Sequence, residues 1–270
     1  MSESPALSFG KLFHSCLERW WKKGINEAVK YLADQVQNGL DEQTAAQVLA
    51  LLAHYNPPRE KFVVVDVEKQ FEMKIENSVG GRAFRGYRLQ GKVDLILRSI
   101  GEDKVWIVDH KTTTQEVIGF GSYWQGLQVD AQMANYCLAF DAVGFIYDVI
   151  RKPSIKLCGK DESEAKKTGI CPADAYQARI ELDIKEAPET WYQWREHPKT
   201  ESDSIEARLD LFQHCEMHRA CCADSRFPRN SNSCSGRYGT CPYLEVCAGR
   251  ANIEDDAMFR TKAQANEELE

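Results

Sequence analysis

Gly91-Lys92-Val93-Asp94-Leu95-Ile96 and, past a Gly101-Glu102-Asp103 turn, Val105-Trp106-Ile107-Val108-Asp109-His110-Lys111-Thr112-Thr113 decide the fold. Both runs are rich in Val, Ile and Trp and are separated by a turn signal, so they predict two antiparallel strands. Folding the hairpin about residues 101–102 sets Asp94 opposite Asp109, with Cβ atoms ~5 Å apart. Side chains two positions apart share a face, so Lys111 joins Asp109 and His110 points away. The apolar run 105–108 places the acids at the end of a buried strand.

Working outward, residues 62–75 are Val-rich with period-two stretches and predict a third strand, with Gly80-Gly81 as its turn. Upstream, residues 12–36 carry apolar side chains at helical spacing, interrupted at Gly24 and ended at Gly39. Residues 41–54 repeat that pattern more weakly until Asn56-Pro57-Pro58 stops it. Downstream of Gly119 and Gly121, residues 123–140 predict a helix and 145–150 a short buried strand. The order is helix, three antiparallel strands, helix, strand, which is an α/β core. The charge run 160–167 predicts a solvated loop, 178–184 a strand and 201–222 a helix; beyond Phe227 the chain is loop-like. The expected division is a core over 1–152, a polar insertion and helical segment completing it over 153–222, a Cys-rich segment over 223–250 and a flexible acidic tail over 251–270.

The 270 residues are 43% hydrophobic and 28% charged, which excludes a mostly disordered or fibrous chain. No apolar run approaches the ~18 residues of a membrane span, and the first residues have no secretory pattern, so the expectation is a soluble, cytoplasmic protein. Thirty-four basic against 41 acidic residues give −7, which argues against general coating of nucleic acid. The charge is uneven: residues 251–270 are acidic, while Arg151, Lys152, Lys156 and Lys160 make a local basic strip that leaves a nucleic-acid path open.

Two carboxylates face to face repel unless a cation lies between them. Oxygen ligands suit Mg²⁺ or Mn²⁺; such an ion acidifies a bound water and neutralises a phosphodiester, and a lysine beside it can stabilise developing charge. The same stretch resembles the RecB-like branch of the PD-(D/E)XK nuclease superfamily. That branch carries a Gly-x-Val/Ile-Asp motif, then an Asp-Tyr-Lys-Thr-type motif, then Gln-x-x-x-Tyr on the next helix. Here they read Gly91-Lys92-Val93-Asp94, Asp109-His110-Lys111-Thr112 and Gln132-Met133-Ala134-Asn135-Tyr136, with Gly10-Lys11-Leu12-Phe13-His14 as the upstream histidine motif.

The resemblance implies a restriction-endonuclease-like core with a Cys-containing C-terminal extension. It implies His14, Asp94, Asp109 and the His110 backbone carbonyl as metal ligands, Lys111 as the catalytic lysine beside Asp94 and Asp109, and Gln132 and Tyr136 as residues that line the site and touch DNA. Glu68, on the preceding strand, is a further candidate acid. His110 stands where Tyr or Phe is commoner. Taken singly, His14, Gln132 and Tyr136 are ordinary helix residues, and Trp20-Trp21 reads as core and rim.

Ten cysteines are many, and five of them fall between Cys221 and Cys247. Clustering without a secretory signal points to metal binding. Cys234, Cys241 and Cys247 resemble the three C-terminal cysteines by which some RecB-like nucleases hold a [4Fe-4S] cluster, with zinc as the chemical rival. In that family the remaining cysteine precedes the histidine motif; here Cys16, Cys221 or Cys222 is left for the fourth position. The implied activity is a metal-dependent deoxyribonuclease of the phage or prophage exonuclease type, acting on single strands or free ends. A CRISPR-adaptation nuclease, a catalytically inactive DNA-binding module and a zinc-stapled interaction protein are the alternatives.

Overall fold

The computed structural model describes residues 5–78, 80–236 and 239–260. Three helices open the chain: α1 (Pro5–Lys23), α2 (Ile25–Gln37) and α3 (Glu42–His54). Strands β1 (Phe62–Glu76), β2 (Ala83–Ser99) and β3 (Val105–Thr113) follow, then α4 (Ser122–Gln125), α5 (Ala131–Phe140) and β4 (Gly144–Arg151). Helices α6 (Gly159–Thr168) and α7 (Pro172–Glu186) lead to β5 (Tyr192–Pro198) and α8 (Glu201–Ala223). The C-terminal part holds β6 (Ser235–Gly236), β7 (Gly239–Thr240) and α9 (Leu244–Cys247). No described helix is long and apolar enough to cross a membrane.

Two compact units result, one of Met1–Lys74 and Arg88–Arg208, the other of Ile75–Tyr87 and Leu209–Glu270. The stretch 153–208 thus belongs with the residues before it. In the second unit Phe84 packs edge-on against Tyr87 and Phe212, and β6 pairs with β7. Of the acidic tail, residues 261–270 lie outside the described residues.

The first unit is built on a sheet ordered β1-β2-β3-β4-β5, with β2–β3 and β4–β5 antiparallel and β3–β4 parallel. Parallel neighbours need a crossover, and the segment carrying α4 and α5 provides it. Val108, Ile146 and Ile150 face a core shared with α1, α3 and α7; Ile107, Tyr147 and Val149 face a second core with α5. The sheet is therefore covered on both sides, which accounts for the apolar run that opens β3.

Local chemistry sets the helix ends. Gly24, at φ 88°, separates α1 from α2 in a conformation that L side chains rarely adopt. Asp41 caps α3 by accepting the Thr44 N–H, a bond that stabilises by ~1 kcal/mol. Asp130 caps α5 through the Gln132 N–H.

Three expectations are corrected. The helix expected over 123–140 is two helices, because Asp130 takes a capping position and starts α5 afresh. The charge run 160–167 is helical in α6: Asp161 accepts the Cys158 N–H at the start, and Lys166 and Lys167 sit in the last turn, where the helix dipole favours cations. Residues 178–184 lie within α7, whose buried Tyr176, Ile180 and Ile184 repeat every four residues. β5 was not anticipated.

Arg179 on α7 clamps buried Asp161 with two hydrogen bonds, from Nε at 2.7 Å and Nη2 at 2.8 Å. These bonds hold the Asp161 carboxyl below the usual carboxylate range. A carboxylate depressed in the folded state contributes stability above its unfolded pKa and loses it as pH falls through the folded value. Arg179→Ala is therefore expected to lower stability by about 1.5–3 kcal/mol at neutral pH, and by progressively less as the solution is acidified below pH ~4. Urea unfolding at several pH values measures both.

Candidate active site

The β2–β3 ladder runs from Arg98↔Val105 to Leu95↔Val108. There the pairing stops, and the Asp94 side chain turns to the neighbouring strand: its Oδ2 accepts the His110 N–H at 2.9 Å. Asp109 is buried, and the Lys111 Nζ lies 2.7 Å from its Oδ2. That contact is an ion pair whose angle leaves the buried Oδ2 without an aligned hydrogen bond. Burial pushes the Asp109 carboxyl up; Lys111 pulls it back, and the charge of Asp94 adds to the rise. Burial alone would lower the Lys111 ammonium, but Asp109 outweighs it and holds the amine above its ordinary value, hence charged.

Two helices close on this hairpin. From α1, His14 brings Nδ1 to 3.6 Å from Asp94 Oδ2. Burial lowers the His14 imidazole below its ordinary value against the pull of Asp94, which favours a neutral ring. Gly10, one turn earlier, would place a Cβ 3.3 Å from Thr112 Oγ1, so its bare backbone is what lets α1 approach β3. From α5, Gln132 accepts from Lys111 Nζ at 3.4 Å and donates to Tyr136 Oη at 2.9 Å. Tyr136 packs edge-on against Phe71 of β1, and a Cβ at Gly91 would meet that ring at 2.7 Å and Tyr136 at 3.1 Å. The glycine of the Gly-x-Val-Asp motif is thus required by packing.

A family model described as the PD-(D/E)XK nuclease superfamily matches residues 2–248. The chain belongs to the PD-(D/E)XK nuclease superfamily. Members generally hydrolyse phosphodiester bonds with divalent metals, and the mixed α/β fold with its five-stranded sheet is consistent with a restriction-endonuclease-like architecture. No curated protein matches. Among solved structures, one described as "Crystal structure of SSO0001" is 13% identical, with 93% of this chain and 91% of that chain covered and a TM-score of 0.35.

The donor set of this superfamily member fits a hard divalent ion. Two carboxylates lie close enough for one charge to act on the other, one has a buried oxygen lacking an aligned donor, and a neutral imidazole stands beside the other. Among the described residues no three His, Cys, Asp or Glu side chains stand ready to coordinate at once; the Lys111 ammonium is paired on Asp109 instead. Glu68 sits at φ 58° on β1 and is held by an ion pair with Lys92, as Asp109 is by Lys111.

The nuclease reading of the sequence missed a buried network behind the site. His110, on the opposite face of β3 from Asp109, donates from Nδ1 to Asp148 Oδ2 at 2.7 Å, and the Tyr55 hydroxyl donates to the same oxygen. Burial would lower the His110 imidazole, but Asp148 outweighs it and holds it above its ordinary value. Trp21 stacks at 6.5 Å from the His110 ring. The network fixes the backbone that carries Asp109 and Lys111 on either side. An aspartate in the middle of the apolar run 145–150 was the signal that could have found it, since charged groups are rarely buried without a partner.

The candidate cluster ligands divide. Cys234 falls opposite Cys241 at the foot of the β6–β7 hairpin, where Cys241 N–H donates to Cys234 O at 2.9 Å, and Cys247 ends α9. Cys221 is half-buried, and exposed Cys222 has its Sγ 3.7 Å from His218 Nδ1. Cys16 is fully buried among apolar side chains, which pushes its thiol up to about 12; it is taken up by packing.

Proposed function

We propose that this chain is a metal-dependent deoxyribonuclease of the RecB-like branch. It hydrolyses DNA phosphodiester bonds as an exonuclease on single strands or free ends, in phage or prophage replication, recombination or repair, within the cytoplasm. The observation that carries the reading is the gathering of Asp94 and Asp109 where β2 and β3 part, with Lys111 2.7 Å from Asp109. Mg²⁺ or Mn²⁺ held by Asp94, Asp109, His14 and the His110 carbonyl, with Glu68 nearby, would supply charge neutralisation and an acidified water. Lys111, charged and beside Asp109 near the end of β3, stabilises a phosphoryl oxygen as negative charge grows there. Gln132 and Tyr136, linked to each other and to Lys111, orient the strand beside it.

Incubation of end-labelled single- and double-stranded DNA with Mg²⁺, Mn²⁺ or EDTA tests this. Metal-dependent shortening from an end is expected. Internal nicking alone would replace the exonuclease with an endonuclease, and intact DNA with both metals would refute the enzyme.

The same reading makes Cys234, Cys241 and Cys247, with Cys221 or Cys222, the ligands of an iron–sulfur cluster that staples a segment poor in apolar surface. Protein purified without oxygen is expected to be brown and to contain iron and sulfide. Cys241→Ser is expected to remove the colour and expose the tail to protease; stoichiometric zinc in a colourless protein would put a zinc staple in its place.

A further inference from the structure

The face of the sheet that carries Asp109 holds a second feature. Asp109 pairs with Tyr147 on β4, and Tyr147 with Arg195 on β5. Cross-strand partners point to one side and strands lie ~4.8 Å apart, so the Arg195 backbone is about 10 Å from that of Asp109, a reach of a few nucleotides. There a cleft of about 390 Å³ opens between the loop leaving β3 and the end of β5.

Phe120, on that loop, is 86% exposed. It is nevertheless held in place. The Arg195 guanidinium lies 3.7 Å from the centroid of the Trp124 ring and 5.3 Å from that of Phe120. It also donates to the carbonyls of Val117 and Gly119, at 3.2 and 2.6 Å, which pins the loop just before Phe120.

The cleft wall carries one unmet polar atom. His197 Nε2 is buried with no hydrogen-bond partner among the described residues, and its ring is fixed by stacking on Phe145 at 5.1 Å and 14°. That atom lies out of a ligand's reach, so the ring shapes the cleft wall without bonding into it. Arg195 is engaged by two carbonyls and two ring faces, which leaves it little to offer an anion, and Gln128 adds an amide. That balance suits a neutral, flat group with hydrogen-bonding edges better than a phosphate.

We propose that this cleft is a base-binding subsite: Phe120 stacks one unpaired nucleobase of the DNA substrate, and the edge of that base meets the Gln128 amide. The inference rests on the nuclease reading above and narrows its substrate to strands whose bases are free of a duplex stack. Aromatic stacking on single strands is tolerant of sequence because every base has a flat face.

The test uses labelled oligo(dT), with fluorescence anisotropy in Ca²⁺ for binding and cleavage in Mg²⁺ run alongside. Phe120→Ala is expected to weaken binding roughly ten-fold or more, and Phe120→Trp to retain it. A single abasic site walked along the oligonucleotide is expected to weaken wild-type binding at one position and to leave Phe120→Ala indifferent there. Wild-type binding and cleavage by Phe120→Ala, or no position sensitive to base removal, would overturn the subsite while the nuclease stands. A wild-type protein that neither binds nor cuts would overturn both.

Discussion

Lys111→Ala is expected to lower the single-turnover rate of DNA cleavage by roughly 10²–10³-fold, the usual loss when one donor to a developing oxyanion is removed. Lys111 lies on Asp109 and reaches Gln132, so no other described cation holds that position between the acids and α5. Asp109→Ala is expected to be at least as damaging to cleavage, with a far smaller effect on folding. Burial raises the Asp109 carboxyl, which means that the folded protein disfavours its charged form. Removing it also strands the part-buried Lys111 ammonium, so the two effects oppose each other and the melting temperature should change little while activity vanishes. A folded Asp109→Ala or Lys111→Ala protein that cuts at near the wild-type rate would remove both from the site.

Asp148→Ala should do the reverse and act on stability first. Its carboxylate is the shared acceptor for His110 and Tyr55, all three buried. Taking it away strands an imidazole and a phenol in an apolar core, and breaking a buried pair from one side costs about 3–5 kcal/mol. For a domain of this size that is a fall in Tm on the order of 10 °C. Asp148→Asn keeps an acceptor and should lie between. Thermal unfolding followed by circular dichroism distinguishes these; an Asp148→Ala protein that melts with the wild type would show that the network carries no load.

What could be read beforehand was local. The hairpin register follows from where the turn falls, so the pairing of Leu95 with Val108 could be counted from Gly101. Gly24 and Asn56-Pro57-Pro58 punctuate helices through their own backbone chemistry. What could not be read depended on residues distant in sequence. α6 has almost no apolar stripe, and its helix is secured by Arg179 from the next element. β5 is a polar edge strand whose Tyr192 hydroxyl donates to Leu51 O, far back in α3. Tyr55 and Asp148 are unremarkable until 93 residues of chain fold to bring them together. The same holds for the Phe120 cleft, which needs β5 beside the loop that follows β3.

The Tyr55–Asp148–His110 network also orders events during synthesis. A ribosome delivers His14, Asp94, Asp109 and Lys111 well before it delivers Asp148, and β5, which flanks β4, comes later still. Until then the strand bearing the acids lacks both the neighbour that pairs with it and the carboxylate that sets its backbone. The nascent chain thus carries the candidate site residues without the strand and the carboxylate that hold them in place. Copies that end before β4 are therefore expected to be inactive on DNA.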